Sequence, residues 1–360
     1  GGDYTVNEAY LEVNVPVLAD LPGAKELSFN GATRFSDYNT FGNTLNSKFG
    51  FKWKPIDSLM VRGTWAEGFR APTISDLFGG GSETFAQFSD PCDTRFGSSA
   101  SSAEVRARCA RDIANANTFR QLRQGGTPVN TSTDATPVPF TSGSNPNLTP
   151  ETSKSKTVGL VWSPTFAPGL NLSLDWFNIK IENTIVSDTP TDQLNDCYVL
   201  CIAERCSTFT RDATLGYVNN LTYGSRNAGF IETEGFDFDA SYRYATDTWG
   251  SFNFNLQNTY VTKNVLKTAN DDSPVQIYNG FGSNFRLRSN LTVGWEFGDF
   301  GITWGTRYFS SVKERCYYAT ECSLPDYGSP DPARNQAQNK RGATTFHDVQ
   351  FSWNAPWNAT

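Results

Sequence analysis

The sequence predicts an all-β fold, an antiparallel transmembrane β-barrel of which this chain supplies a part. Three observations carry the prediction: long segments of alternating polar and apolar residues, connections of alternating length, and seven cysteines that all lie in the long connections. Successive side chains of a strand point to opposite faces, so a wall between lipid and a polar lumen needs one apolar and one polar face.

The alternating segments follow one another along the chain. In the clearest, residues 170–182, Leu172 and Leu174 lie on one face while Ser173 and Asp175 lie on the other. Similar patterns occur at residues 27–35, 49–53, 59–65, 252–260, 285–297, 300–308 and 349–353. Several exceed the roughly five or six residues usual in soluble sheets, and aromatic residues mark their ends. We count about eleven strands, although a soluble β-sandwich would share the alternation alone.

The connections separate these two architectures. We predict short turns at residues 18–24, 54–57, 163–169, 245–250 and 296–301. We predict longer links at residues 36–43, 70–150, 187–227, 262–284 and 310–342. Short periplasmic turns on one rim and long extracellular loops on the other are typical of bacterial outer-membrane barrels, whereas a sandwich has no reason to sort its loops this way.

Composition excludes several classes of protein. The 30 Lys and Arg against 37 Asp and Glu give a net charge of −7, which argues against non-specific binding to nucleic acid. A single His excludes multi-histidine zinc sites. No apolar run approaches the roughly 18 residues of a spanning helix, and from the opening residues we expect no N-terminal signal peptide.

The cysteines indicate which side of the barrel faces an oxidising environment, because local disulfides there would restrain exposed loops. We expect Cys92 to pair with Cys109, Cys197 with Cys206, and Cys316 with Cys322. Cys201 is then left over, and it is an alternative to Cys197 as the partner of Cys206. Because neither a C-x-x-C motif nor a nearby His accompanies these residues, we expect no metal site and no cofactor.

Four stretches carry a family resemblance: TWAEGFRAPT at 64–73, NPNLTPETS at 145–153, DWFNIKIENTI at 175–185 and EGFD at 234–237. In order and spacing they resemble the C-terminal half of the barrel of TonB-dependent outer-membrane receptors. The resemblance implies a Gram-negative outer-membrane protein with an N-terminal plug and a barrel of 22 strands. Residues 1–360 would then form strands ten to twenty, while the plug, the TonB box, the first nine strands and the last two are missing.

The motifs also have local physical interpretations. Pro72 lacks a backbone donor and so ends a strand, and Glu67 is placed to pair with Arg70 at the top of that strand. Residues 103–117 are predicted to form a short helix in the first long loop, with charges on a solvated face.

The resemblance implies active uptake of a scarce nutrient, driven by the TonB complex. A ferric siderophore, cobalamin, an oligosaccharide or a peptide would each suit this architecture as cargo. Outer-membrane lipid, including lipopolysaccharide, is a further expected partner, and nucleic acid is not. Cargo contacts are expected in the outer loops, at Phe85, Phe88, Arg95, Arg120, Arg123, Tyr198, Arg205, Tyr317, Tyr318 and Tyr327.

The sequence contains no catalytic constellation, so we expect no enzyme activity. His347 beside Asp348 is the one candidate general base, and a histidine of the barrel wall is the simpler interpretation. A passive porin is the main alternative function, and a barrel hydrolase that depends on His347 is a weaker one.

Overall fold

The computed structural model describes residues 2–268, 275–313, 340–355 and 357. Eleven long strands, each antiparallel to the next in chain order, form one continuous wall. They are β1 (Val6–Leu21), β2 (Ala24–Tyr38), β3 (Gly42–Ile56), β4 (Leu59–Arg70), β5 (Glu151–Trp162), β6 (Leu170–Glu182), β7 (Phe230–Thr246), β8 (Gly250–Lys267), β9 (Leu287–Phe297), β10 (Phe300–Phe309) and β11 (Thr344–Trp353). The predicted fold class and strand number are confirmed.

The strands form because period-two patterning gives each of them two distinct faces. Leu174 and Phe238 are direct partners on β6 and β7 and belong to an exposed apolar face, which we call the outward face. Asp175 and Asp237 are the next pair and lie on the opposite, inner face. Wall strands of ten to eighteen residues match or exceed the roughly nine to eleven that a tilted strand needs to cross a bilayer.

The wall has two ends. Within the described residues, β1 pairs only with β2 and β11 only with β10, so the sheet does not close on itself. The residues of both end strands are exposed on both faces.

Short and long connections alternate along the chain as predicted, with one correction. One rim carries the turns at residues 22–23, 57–58, 163–169, 247–249 and 298–299. The other rim carries residues 39–41, 71–150, 183–229, 268–286 and 310–343. The long link predicted at 36–43 is wrong, because β2 and β3 pair up to Tyr38 and Gly42 and leave only three residues in the turn. Gly42 adopts a φ of +86°, which favours glycine.

Within the described residues, the α-helices all lie in the long connections. They are α1 (Ile74–Phe78), α2 (Ala103–Cys109), α3 (Pro190–Tyr198) and α4 (Ala203–Cys206). The helix predicted at residues 103–117 is shorter than expected, because it ends at Cys109 and is capped by Ala110. Among the described residues, no helix has both the length and the apolar character needed to span a membrane.

The main buried core lies in the loops rather than in the wall. Residues 71–150 and 183–229 fold together into one unit, which we call the loop lobe. The strand Thr222–Asn227 of the second loop pairs with Phe140–Gly143 of the first, which joins the two loops through backbone hydrogen bonds. The apolar core of the lobe includes Phe88, Cys92, Val105, Cys109, Ile113, Phe119, Phe140, Leu194, Tyr198 and Leu221.

Candidate functional site

The inner face of the wall carries a row of polar side chains at one level. Strand register places each member directly opposite the next, because partners in adjacent strands share a face. The row, which we call the polar row, consists of Arg62, Gly159, Asp175, Asp237, Thr259 and Arg288 on β4 to β9. All of these residues except Gly159 line a concave surface that encloses about 580 Å³.

The central feature of the polar row is a bond that crosses a whole strand. Arg62 Nε donates to Asp175 Oδ1 at 3.0 Å, and Arg62 Nη2 donates to Asp175 Oδ2 at 2.8 Å. Between them lies Gly159, and a Cβ there would stand 1.9 Å from Asp175 Oδ1. The glycine therefore leaves the space in which the guanidinium and the carboxylate meet.

The rest of the row offers both donors and acceptors. Thr259 Oγ1 donates to Asp237 Oδ1 at 2.8 Å, and Arg288 and Asn290 line the same concave surface. Paired acids and bases of this kind can donate hydrogen bonds to the polar groups of an occupant and accept hydrogen bonds from them. Sequence reasoning missed the row because each residue looks like an ordinary polar-face residue until the register of all six strands is known.

The loop lobe is held together by buried charges. Arg211 makes two hydrogen bonds of 2.8 Å to Asp90, and the side chains are 2% and 1% exposed. Burial lowers the pKa of Arg211, but the charge and hydrogen bonds of Asp90 more than offset this and hold it above its ordinary range. Arg211 Nε also donates to the Tyr198 hydroxyl at 2.9 Å. The ion pair between Arg211 and Asp90 joins positions 121 residues apart and so ties the two loops together.

Two further carboxylates organise the lobe around them. Asp93 accepts hydrogen bonds from the backbone of Arg95 and Gln121 and is ion-paired with Arg120. Asp196 is paired with Arg205 at 3.0 Å. Burial is the main cause of the raised pKa of Asp196, although nearby arginines oppose it.

A set of hydrogen bonds at the base of the lobe, which we call the junction, ties the two loops to each other and, through Glu151, to the wall; it is formed by Thr149, Glu151, Asn183, Ile185 and Asn227. Asn227 Nδ2 donates to the carbonyls of Thr149 and Asn183 at 2.8 and 2.9 Å, and Thr149 N donates back to Asn227 Oδ1 at 2.8 Å. The backbone of Ile185 donates to Glu151 at 2.7 Å. The 145–153 motif therefore connects both long loops to the strands below.

The junction also corrects a predicted ion pair. Arg70 binds Glu151, with distances of 2.6 and 2.8 Å, rather than Glu67. Glu151 is the direct partner of Arg70 across β4 and β5, whereas Glu67 points to the opposite face of β4.

Four of the residues expected to contact cargo are used inside the lobe. Phe88 and Tyr198 are each only 2% exposed and belong to its core, so neither offers a surface to cargo. Arg120 and Arg205 form partly buried ion pairs with lobe carboxylates. This burial argues against Phe88 and Tyr198 as cargo contacts, and the roles predicted for Arg120 and Arg205 stay predictions.

Three others lie on the lobe surface. Phe85 is 44% exposed, and Arg95 and Arg123 are exposed. The Arg95 guanidinium stacks on the ring of Phe96, with its Cζ 4.9 Å from the ring centroid. The remaining candidates, Tyr317, Tyr318 and Tyr327, lie outside the described residues.

Two disulfides close parts of the lobe. Cys92 is bonded to Cys109 in the buried core, and Cys197 is bonded to Cys206. Within the described part of the chain, Cys201 is a free, exposed thiol. The partner of Cys206 is therefore Cys197 and not Cys201. The pair expected between Cys316 and Cys322 lies outside the residues that the structure describes.

His347 lies on β11, in register with Thr306 of β10. Its ring stacks on Trp304 at a centroid distance of 5.7 Å, and Trp304 belongs to the outward apolar face. The histidine is therefore on the opposite side of the wall from the polar row. Across residues 2–268, 275–313 and 340–355, no group of three His, Cys, Asp or Glu is placed to hold a metal ion.

Comparison with known proteins gives one family and a set of structural neighbours. The family model described as TonB dependent receptor-like, beta-barrel, matches residues 1–360. No curated protein sequence matches the chain.

The structural neighbours share the fold at low sequence identity. A mutant of the ferric enterobactin receptor PfeA from Pseudomonas aeruginosa superposes with a TM-score of 0.57 and 12% identity, over 97% of this chain and 37% of that one. The siderophore receptor PirA from Acinetobacter baumannii superposes with a TM-score of 0.56 and 14% identity, over 98% and 40%. The chain thus spans about two fifths of the length of these receptors.

Proposed function

This chain belongs to the TonB-dependent receptor family, and from that premise we propose that it is part of a receptor that imports a scarce nutrient with energy delivered through TonB. Members of the family are outer-membrane β-barrel proteins of Gram-negative bacteria, and this chain has that location. In the proposal, TonB acts through a plug domain outside this chain. The wall and the loop lobe provide cargo contacts and a path, and no covalent bond is made or broken.

The observation that carries the proposal is the loop lobe on the long-loop rim. A porin needs loops that leave its channel open, whereas here two loops form a unit with its own core, a buried ion pair between Asp90 and Arg211, and two disulfides. A rigid lobe keeps its surface residues in fixed positions, and this lowers the entropy lost when cargo binds.

A ferric siderophore is the first cargo class to test. The structural neighbours bear the names of a ferric enterobactin receptor and a siderophore receptor, which supports this choice by fold alone. The lobe surface supports it through charge. Asp90 and Asp93 are committed to internal partners, while Arg95 and Arg123 remain exposed. Two exposed guanidinium groups, of which that of Arg95 stacks on Phe96, suit an anionic chelate with aromatic groups.

The proposed path begins at the lobe. Cargo contacts Arg95, Arg123 and Phe85, and then moves along the inner face. The polar row, centred on Arg62 and Asp175, presents alternating donors and acceptors to whatever occupies the lumen.

Uptake by the full-length receptor in a deletion strain tests the proposal. We expect iron-limited growth on a ferric siderophore that requires both the receptor and TonB. An R95A/R123A variant should bind the chelate at least about tenfold more weakly, since exposed charge pairs each contribute roughly 0.2–1 kcal/mol and cation–π contacts add to them. Glu83→Ala, which removes an exposed carboxylate of the same lobe, should bind as the wild type does.

The outcomes separate the alternatives. Growth that depends on cobalamin, an oligosaccharide or a peptide instead of a siderophore would support TonB-driven uptake but assign a different cargo class. Uptake that continues without TonB would overturn the proposal in favour of a passive porin. Hydrolysis of a substrate by the wild type, lost in His347→Ala, would support the hydrolase alternative.

A further inference from the structure

The strand β6 lies between two glycines, Gly159 of β5 and Gly235 of β7. Asp175 of β6 reaches across Gly159 to form the ion pair described above. Phe177 is the next residue of β6 on the inner face, and its direct partner is Gly235. A Cβ on Gly235 would stand 2.9 Å from Phe177 Cζ and would also meet the backbone carbonyl of Tyr260. The two glycines therefore leave space for a charged side chain on one side of β6 and for an aromatic ring on the other.

Gly235 is also part of a bulge, because the register of β7 with β8 shifts between Glu234 and Gly235. A bulge changes the direction in which neighbouring side chains point. Two residues further along β7, Asp237 lies on the inner face and belongs to the polar row. The 234–237 motif thus holds the Phe177 ring next to charged groups of the row, and all of them line one cavity.

This cavity, which we call the lumen seat, has a volume of about 540 Å³. Phe177 and Ile179 form an apolar wall, and Thr64 and Thr157 contribute hydroxyl groups. The two threonines are direct partners on β4 and β5, so they lie side by side on the inner face. Three members of the polar row complete the lining: Arg62, Asp175 and Asp237. The volume falls in the range of roughly 300–1,000 Å³ that is typical of ligand sites.

The apolar wall is an exception on this face, because the interior of an outer-membrane barrel is polar. Ile179 is 37% exposed, and Phe177 is half-buried. Apolar side chains beside a few convergent polar groups are the usual composition of a ligand site. The lumen seat therefore suits a ligand with an apolar body and a polar edge.

The charges of the lumen seat do not favour a free anion. Arg62 contributes one positive charge, and Asp175 and Asp237 contribute two negative charges, so the lining has a net charge of 1 − 2 = −1. Arg62 is moreover bound to Asp175. Hydroxyl groups suit this lining better, because a hydroxyl both donates, here to Asp237, and accepts, here from the threonines.

We propose that the lumen seat binds a neutral ring whose edge carries hydroxyl groups, as one part of the imported cargo. The ring packs against Phe177 and Ile179, and its hydroxyls bond to Asp237 and the two threonines. The inference rests on the proposed function, since the seat lies on the path that leads from the lobe along the inner face. Such a ring belongs either to a saccharide or to a hydroxylated aromatic group of a chelate, and the experiment separates these two sources.

Saturation-transfer NMR on the full-length receptor in nanodiscs tests the proposal with three small probes: methyl glucoside, catechol and tetrahydropyran, a ring without hydroxyls. We expect the better of the two hydroxylated probes to bind at least about tenfold more tightly than tetrahydropyran, because hydrogen bonds to a charged group are otherwise lost. Whether methyl glucoside or catechol binds more tightly identifies the source of the ring.

Variants of the apolar wall test the location of the site. Phe177→Ala should weaken binding of the hydroxylated probe at least about fivefold, and Phe177→Tyr, which keeps the ring, should retain it. The matched control is Phe309→Ala, because Phe309 is another half-buried phenylalanine of the inner face, in register with Arg288 and outside the lumen seat. This control should bind the probe as the wild type does.

A second pair of variants tests the role of the glycine. Gly235→Ala removes no atom of the lumen seat but displaces the Phe177 ring, so it should also weaken binding. Gly294→Ala should not, because its Cβ meets nothing closer than 3.8 Å. Heat-modifiability gels verify that each variant receptor is folded before the probes are added.

Two results would overturn the proposal. One is equal binding of tetrahydropyran and the hydroxylated probes to the wild type, which requires no variant, and the other is equal binding by Phe177→Ala and the wild type. Failure of the lumen seat is distinguishable from failure of the proposed function. In the first case growth of the deletion strain on the cargo still requires the receptor and TonB, whereas in the second case that requirement is absent.

Discussion

Arg62 and Asp175 bind each other although β5 lies between their strands. The guanidinium and the carboxylate make two hydrogen bonds of 3.0 and 2.8 Å across Gly159, which contributes no side chain at this position. A cross-strand pair normally joins adjacent strands. Here the bond fastens three strands together and leaves the acid and base on the inner surface.

This arrangement makes Gly159 a position where a single methyl group matters. In Gly159→Ala the Cβ would stand 1.9 Å from Asp175 Oδ1, so the pair must separate. We expect a loss of about 1 kcal/mol, as for a partly exposed ion pair, seen as a lower midpoint temperature in heat-modifiability gels. Gly294→Ala is the control, because its Cβ meets nothing closer than 3.8 Å. Equal stability of the two variants would contradict the role assigned to Gly159.

The Asp90 and Arg211 pair should decide whether the loop lobe stays folded. Asp90→Asn leaves a buried guanidinium without its charge partner, which costs about 3 kcal/mol or more. We expect rapid proteolysis within the lobe while the wall remains protease-resistant. Glu83→Gln should show no such change, since Glu83 is exposed. If Asp90→Asn resists protease as well as the wild type, the pair does not hold the two loops together.

Cysteine mapping tests the disulfide prediction that lies outside the described residues. If Cys316 pairs with Cys322, the denatured and unreduced chain contains one reactive thiol, that of Cys201. Alkylation followed by peptide mass mapping should label this position alone, and Cys201→Ser should abolish labelling. Modification of Cys316 or Cys322 before reduction would show that their predicted bond does not form.

Asp196 should give the lobe a distinctive dependence on pH. Burial raises the pKa of Asp196 above its unfolded value, so the folded lobe holds this proton more tightly than the unfolded chain. The stability contributed by this group is therefore present at low pH and is lost as pH rises through the folded pKa. Hydrogen exchange in α3 should accelerate as pH rises through that window, after correction for intrinsic rates. Asp196→Asn should remove the dependence.

Asp212 provides a contrast of opposite sign. The backbone N–H groups of Leu215 and Thr214 donate to its carboxylate and lower the pKa of Asp212. Its contribution is present above the ordinary Asp pKa and is lost only as pH falls through the folded value. In Asp212→Asn, hydrogen exchange in α3 should still accelerate as pH rises through the folded pKa of Asp196. If Asp212→Asn removed this acceleration as Asp196→Asn does, the pH dependence could not be assigned to Asp196.

The wall was predictable from sequence because each strand carries its own evidence. Two faces are visible within one strand, without reference to any other: Leu172 and Leu174 form the apolar face, and Ser173 and Asp175 form the polar face. Register was not predictable in the same way. The bond from Arg62 to Asp175 depends on how three strands align, and no local pattern encodes that alignment.

The lobe was less predictable because its core is assembled from distant segments. Phe88 and Tyr198 looked like exposed loop aromatics, but both are buried in the core that the two loops form together. Arg70 looked like a partner for Glu67, three residues away, yet it binds Glu151 at a separation of 81 residues. Long-range contacts of this kind have no periodic signature. A high content of Cys, Asp and Arg in the two loops was the available sign that they fold.

The junction around Asn227 has a consequence for how such a receptor can acquire a new specificity. Because Asn227 is bonded to both Thr149 and Asn183, neither long loop is free to drift in evolution while the other stays fixed. Insertions and exchanges would have to be accepted by both at once, as a cassette. Protein engineers who wish to graft another binding surface onto this barrel should therefore transplant residues 71–150 and 183–229 together, using the junction as the splice point.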